Sequence, residues 1–404
     1  MARQRRRGFL FCLLIASALL LHGRYPAAHA ETITTAAEQA ILIDANTGTV
    51  LFEKNADQQI PPASLAKLAT MAIVFEALRN GEFSLDDEFF ISEKAWREGG
   101  APSGGSTMFA NINSNIRLED LIRGVIIQSG NDAAITIAEN MAGTEQAFAE
   151  RMNAHAAEIG MRSTHFTNAT GLPDENNKTT ARDLSILAKY IIEAYPQFYS
   201  IYSEPEFTWN NIRQFNRNPL LSMTIGADGM KTGYTEASGY SLVGSAAKDG
   251  RRLIAVVSGL DTRKARAEAG RRLLVWGFTS FEEVGLFPAG ETVAHASVFK
   301  GAIGRVPLTS NDDIVMFRPR TDRGRLRGRV LYEGPLEAPL AAGDTVATLQ
   351  ILSERRLIFE APLIAAQDVP VGPIHRRALD GLYELAASFF HEQVLDRLAV
   401  NTEE

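Results

Sequence analysis

Pro61-Pro62-Ala63-Ser64-Leu65-Ala66-Lys67-Leu68-Ala69-Thr70-Met71-Ala72-Ile73-Val74-Phe75-Glu76-Ala77-Leu78 is the stretch on which the reading of this chain turns. Apolar residues at 65, 68, 71, 72, 75 and 78 keep the 3.6-residue period of a buried amphipathic helix beginning at Ser64. Upstream, Ala40-Ile41-Leu42-Ile43-Asp44 and Thr49-Val50-Leu51-Phe52 read as two strands joined at Asn46-Thr47-Gly48. Downstream, helices are expected at 118–128, 132–141, 144–160 and 180–194, and Gly99 to Gly105 is a Gly/Pro/Ser loop. Past residue 228 the pattern returns to strands. Tyr240–Ala246 and Leu253–Leu260 flank Lys248-Asp249-Gly250 as an antiparallel hairpin, and Ala265–Phe278 follows as a helix. The expectation is an α+β domain over residues 31–280, with strands from both ends of its sequence and helices between.

The flanking segments differ in character. Arg3, Arg5, Arg6 and Arg7, the 13-residue run Phe9–Leu21 and Ala28-His29-Ala30 form a tripartite export signal over residues 1–30. Thirteen residues are too few to span a bilayer comfortably, so removal of the signal is favoured over anchorage. Arg6-Arg7 leaves both the general secretory and twin-arginine routes open. Cys12 lies inside the signal, so disulfides and thiolate chemistry are excluded from the mature chain. The signal takes five of the 41 basic residues and none of the 48 acids, leaving 36 against 48, a charge of −12. Such an acidic chain is a poor partner for nucleic acid. The mature histidines, His155, His165, His295, His375 and His391, are scattered, and neither a metal nor another cofactor is expected. From 291 to 373 short alternating runs punctuated by Gly, Pro and Asp predict a small β-sandwich domain. Residues 376–398 follow as an amphipathic helix, which can pack on that domain or lie on a membrane surface with Phe389 and Phe390 inserted.

Three short motifs carry the chemistry: Ser64-Leu65-Ala66-Lys67, Ser129-Gly130-Asn131 and Lys231-Thr232-Gly233, with starts 65 and 102 residues apart. Ser-x-x-Lys also occurs at Ser245–Lys248 and Ser297–Lys300, but only the first falls at a helix start. There a spacing of three puts both side chains on one face, about 5–6 Å apart at Cβ. The positive end of the helix disfavours a protonated Lys67, and a neutral lysine can take the proton of the serine hydroxyl. Ser129 and Asn131 offer a hydroxyl and an amide on a turn, although a plain helix cap is the ordinary reading of such residues. Lys231 and Thr232 can meet an anionic substrate end, and Gly233 permits close backbone approach. Together these groups suit acyl transfer through a covalent serine ester.

With their flanks, Gln128-Ser129-Gly130-Asn131-Asp132-Ala133-Ala134, Asp228-Gly229-Met230-Lys231-Thr232-Gly233 and Gly239-Tyr240-Ser241-Leu242-Val243, the motifs resemble those of the serine-type D-Ala-D-Ala carboxypeptidases, the low-molecular-mass penicillin-binding proteins. The resemblance spans the mature chain and implies a penicillin-binding/β-lactamase-like transpeptidase domain, a small all-β domain and a terminal amphipathic helix. It implies removal of the terminal D-Ala from peptidoglycan stem pentapeptides, inhibition by β-lactams, and a periplasmic enzyme with peripheral membrane contact. It also implies Ser64 as nucleophile, Lys67 as base, Ser129 as proton shuttle and Asn131 as amide holder. Lys231, Thr232, Gly233, Tyr234, Arg217 and Arg266 would bind substrate, with the Ser64 and Tyr234 backbone N–H groups as oxyanion hole. Tyr234 departs from the pattern, since many relatives have histidine there. Two alternatives remain. A serine β-lactamase needs a deacylating base, and no Glu-x-x-Leu-Asn segment lies between Asn131 and Lys231. A non-catalytic wall scaffold would be expected to have lost a motif residue, and none is lost.

Overall fold

The computed structural model describes residues 33–378 apart from 323, so the export signal at 1–30 and the body of the terminal helix lie outside the described residues. The chain divides into two compact units, one running to Val284 and taking back Phe317–Arg323, the other starting at Gly285.

The first unit is built on a five-stranded antiparallel sheet. Its strands are β1 (Gln39–Asp44), β2 (Val50–Lys54), β3 (Ala227–Thr235), β4 (Gly239–Lys248) and β5 (Arg251–Leu260), in the order β2-β1-β5-β4-β3. Alternation explains why β1 reads as an uninterrupted apolar run. Ile41 and Ile43 join one core cluster with Val243, Ile254 and Val256. Ala40 and Leu42 join another with Leu253, Ala255 and Val257. A sheet covered on both faces needs no polar side. Asp249 and Gly250, both at positive φ (53° and 79°), turn the β4–β5 hairpin as the Asp-Gly signal requires.

The larger cluster holds the helices α1 (Lys67–Asn80), α2 (Leu118–Arg123), α3 (Asn131–Ala142), α4 (Glu145–Glu158) and α5 (Ala181–Ala194). The smaller lies against α6 (Arg263–Ser280) through Ala269, Leu273 and Leu274. Two expectations are refined here. Helix α1 is buried on nearly every side, from Lys67 through Phe75, because alanines at 69, 72 and 77 let neighbours close over the face that the 3.6 period leaves blank. Phe75 alone meets the rings of Tyr195, Phe198 and Tyr202, burial of the kind that contributes about 2–3 kcal/mol per side chain. The helix ends at Gly81 (φ 72°), whose N–H bonds back to Leu78 O while Glu82 N–H reaches Ala77 O. The helix expected over 118–128 is α-helical only to Arg123 and continues as a wider π turn, Gly124–Gln128, that delivers Ser129.

The second unit is all β among its described strands. Its six-stranded sheet runs β8-β10-β11-β7-β6-β9, made of β6 (Ala294–Phe299), β7 (Arg305–Thr309), β8 (Leu326–Leu331), β9 (Leu336–Glu337), β10 (Thr345–Ser353) and β11 (Arg356–Ala365). Pairing is antiparallel except between β6 and β9.

Candidate active site

Ser64 does not sit in α1 itself. Pro61-Pro62 resist helix, and the chain turns first through a 3₁₀ segment, Ala63–Ala66, closed by Leu65 N–H to Pro62 O at 3.1 Å. In a 3₁₀ turn residues three apart eclipse one another, which stacks Ser64 over Lys67 more directly than an α-helix would. Lys67 Nζ lies 3.2 Å from Ser64 Oγ, 2.7 Å from Asn131 Oδ1 and 2.6 Å from the Thr170 carbonyl. Lys67 is 1% exposed. Burial, then the nearby Arg217, draws its amine down to about 7, with Asp132 and Glu145 opposing the shift. A neutral amine has two N–H donors and one lone pair. In that neutral form Asn131 Oδ1 and Thr170 O accept the two donors, and the lone pair is free to face the Ser64 hydroxyl.

Ser129 and Asn131 enter from the end of the π turn. Ser129 is held left-handed at φ 66°, is 2% exposed, and its Oγ has no hydrogen-bond partner among the described residues. A buried hydroxyl without a partner costs about 1–3 kcal/mol, so its place here is one of use rather than stability. Asn131 opens α3 and sends its own N–H to Ser106 O at 2.7 Å. Its neighbour Asp132, fully buried, accepts from Thr107 Oγ1 and the backbone N–H groups of Met108 and Ala110 at 2.6–3.0 Å. That carboxylate pins the loop carrying Ser106 beside the site.

The third motif lies on β3, an edge of the sheet. Lys231 is 2% exposed and among the described residues reaches only the Thr232 carbonyl, at 3.4 Å. Burial, then Lys67, Arg217 and Arg266, hold its amine well below the usual lysine range. Thr232 is also buried, whereas Tyr234 is half exposed, its ring stacked on Tyr240 at 4.3 Å. Arg266 is buried with its Nε unpartnered among the described residues, its guanidinium 5.7 Å from the Tyr240 ring centroid. Arg217 reaches Ser106 Oγ at 2.5 Å and Gln128 Oε1 at 3.4 Å. None of Lys231, Arg217 and Arg266 has a carboxylate within salt-bridge distance among the described residues. Two buried basic side chains, Lys231 and Arg266, beside the exposed Arg217 and with no acid to pair them, make a receptor for an anion.

Gly233 has a packing role besides the one expected. A Cβ there would stand 2.5 Å from Ser241 Oγ and 3.2 Å from Ala63 and Leu65, so the missing side chain is needed for β3 to pack against the Ser64 turn. Gly171 does the same from the other side: at φ +77°, a Cβ would meet Ala63 O at 1.7 Å. All ten sequence-selected residues thus belong to this neighbourhood or its frame. Sequence reading missed Thr170, because a backbone carbonyl leaves no side-chain signature. It also missed the structural work of Asp132, for which an acid inside a buried stretch was the available signal.

Ser64, Ser106, Asn131, Thr170 and Tyr234 border an open cleft of about 1050 Å³. Among the described residues no group of three or more His, Cys, Asp or Glu residues is placed to hold a metal, and no helix is long and apolar enough to cross a membrane.

An antiparallel sheet backed by a helical cluster, with a hydroxyl set against a buried lysine at their junction, defines the penicillin-binding class of serine peptidase. The family profile for D-alanyl-D-alanine carboxypeptidase matches residues 26–262, and the chain belongs to that family. The profile for the penicillin-binding protein 5 C-terminal domain matches residues 281–371. D-alanyl-D-alanine carboxypeptidase DacA of Escherichia coli is 38% identical over 347 residues, 85% of this chain and 86% of that protein. Penicillin-binding protein 5 from Haemophilus influenzae is similar in structure, with a TM-score of 0.78 and 37% identity over 85% of this chain and 100% of that one. Penicillin-binding protein D2 from Listeria monocytogenes, in its ampicillin-bound form, matches 62% of this chain and 100% of its own at 30% identity and a TM-score of 0.54.

Proposed function

We propose that this protein is a serine D-Ala-D-Ala carboxypeptidase that releases the terminal D-alanine of peptidoglycan stem pentapeptides. The observation that carries the reading is the Lys67 amine, stripped of water, with both its donors engaged and Ser64 Oγ at 3.2 Å. Lys67 takes the Ser64 proton as Oγ bonds to the penultimate D-alanine carbonyl carbon. Backbone N–H groups of Ser64 and Tyr234 face the developing oxyanion. Ser129 passes a proton to the departing amine as the C–N bond breaks, Asn131 holds the substrate amide, and water then hydrolyses the ester. The terminal D-alanine of the substrate ends in a free carboxylate, and Arg266, Arg217, Lys231 and Thr232 receive it, guanidinium forks being well matched to such a group. Substrate lies along the open edge of β3 as an added strand.

β-Lactams acylate the same Ser64 and are released slowly. The β-lactamase alternative is disfavoured because a backbone carbonyl, Thr170 O, occupies the third contact of Lys67 and no carboxylate lies within hydrogen-bond distance of Ser64 or Lys67 among the described residues. Mass spectrometry of a D-Ala-D-Ala pentapeptide before and after incubation should show loss of one alanine with the wild type and none with Ser64→Ala. A peptide left intact by both proteins would overturn the proposal.

The site of action is the periplasm, with the mature protein held at the inner membrane through residues 376–398. Anionic vesicles should retain the full mature chain and lose it on truncation at residue 375; equal retention of the two would remove the anchor.

A further inference from the structure

The anion receptor carries more positive charge than a leaving alanine can use. That residue brings one carboxylate, and Lys231 and Arg266, both buried, already stand for it. One turn before Arg266, helix α6 opens on Arg263. Thr262 caps this helix, its Oγ1 accepting the Ala265 N–H and its carbonyl the Arg266 N–H, each at 3.0 Å. A spacing of three puts Arg263 and Arg266 on one helix face. Arg266 is 7% exposed, with its Nε unpartnered among the described residues and its guanidinium near the Tyr240 ring. Arg263 is exposed and forms no ion pair or side-chain hydrogen bond among the described residues. The acids nearest to it in sequence do not neutralise it: Glu268 is paired with Arg271, and Asp261 forms no ion pair among the described residues.

Three guanidiniums act on one another here. After burial, Arg263 is the largest cause holding Arg266 down, to about 10, and it also lowers Arg217. No carboxylate opposes it at either group. Charge repulsion falls with distance and is screened in water, so Arg217, Arg263 and Arg266 share one corner of the receptor. Its floor is buried and its rim, Arg217 and Arg263, is exposed.

We propose that Arg263 and Arg217 form an outer subsite for a second carboxylate on the leaving residue, so that the enzyme also releases an acidic D-amino acid from peptides ending in D-Ala-D-Glu. The inference rests on the carboxypeptidase reading and extends it to the residue released. The α-carboxylate goes to the buried pair and the side-chain carboxylate to the rim. Three residues rise about 4.5 Å along α6, and two methylenes let the carboxylates of glutamate span that separation. The bonds made and broken are the same: Ser64 Oγ joins the D-alanine carbonyl carbon, the C–N bond breaks, the glutamate amine leaves with the proton, and water hydrolyses the ester. The second carboxylate enters no bond and acts through binding alone.

The test compares kcat/KM for otherwise identical peptides ending in D-Ala-D-Glu and D-Ala-D-Gln, which differ in charge and scarcely in shape, with a D-Ala-D-Ala peptide alongside. Exposed ion pairs contribute modestly, so the wild type should favour glutamate over glutamine about fivefold to tenfold, less as salt is raised. In Arg263→Gln the ratio should fall to about one to two, with KM moving more than kcat, and Arg263→Lys should restore most of it. Arg272→Gln, an exposed cation farther along α6, should keep the wild-type ratio. A wild-type ratio near one, an undiminished ratio in Arg263→Gln, or an equal loss in Arg272→Gln would overturn the subsite while leaving the carboxypeptidase reading in place. So would cleavage of the D-Ala-D-Ala peptide alone. Failure to cleave any of the three peptides would overturn that reading instead, and the subsite with it.

Discussion

At the scale of single residues, the site sacrifices stability for reactivity. Ser129 combines a left-handed backbone with an orphaned, buried Oγ. Ser129→Ala removes the orphaned hydroxyl and leaves the backbone strain as it was. The expected result is an unchanged or slightly raised melting temperature together with acylation by labelled penicillin slowed about a hundredfold or more. A large loss of stability, or undiminished acylation, would contradict a relay role. The residues carrying side-chain chemistry were legible from their spacing: Ser64 and Lys67 read as a pair because a helical turn must bring them together. Gly233 was legible only as a permissive position. What needs its empty Cβ is the protein's own Ser241 and Ala63, and contacts across 170 residues or so of chain are not visible in a local motif.

At the scale of elements, the catalytic lysine is tuned by a turn that no motif names. Asn168 Oδ1 accepts from Thr170 N, Thr170 Oγ1 and Gly171 N at 2.7–3.2 Å, and this folded turn aims the Thr170 carbonyl at Lys67. The turn also keeps water from the amine, and burial is the main cause that lowers Lys67 to about 7. A base must lose its proton to act, so wild-type acylation should rise with pH through about 7. Asn168→Ala frees the turn, admits water and lets the amine return toward the ordinary lysine value. Its pH midpoint should move up by about one unit, with acylation roughly tenfold slower at pH 7 and recovering by pH 9. An unmoved midpoint would assign the turn a merely structural part. The helices and the β4–β5 hairpin were legible because period and turn chemistry are local signals. The 3₁₀ turn at Ser64 and the π turn before Ser129 were not, since both are imposed by what the chain must meet in space, namely Gly171, Ala63 and the loop around Met108.

At the scale of the whole molecule, the same burial sets the dependence of stability on pH. Lys67 and Lys231 sit in the folded protein without a carboxylate partner among the described residues, and both ionise below the ordinary value of 10.5. Between the folded value, about 7 for Lys67, and 10.5, the unfolded chain therefore binds more protons, and stability rises as pH rises through that window. His155, buried and pushed below 6.5, adds the same slope on the acid side. The opposite holds for Tyr195, Tyr199 and Tyr202, which burial keeps neutral above the ordinary 10.0; past that pH the unfolded chain loses protons that the folded one retains, and stability falls. The first unit should thus be most stable near pH 9–10 rather than at neutrality, with Lys67 alone contributing on the order of 3–5 kcal/mol of the rise from pH 7. That corresponds to roughly 5–10 °C in its thermal transition. Scanning calorimetry at pH 6, 7.5, 9 and 11 measures the curve, and Lys67→Met should flatten its rising limb. A transition that falls between pH 7.5 and 9 would mean that the two lysines are charged in the folded state, and a charged Lys67 has no lone pair with which to activate Ser64.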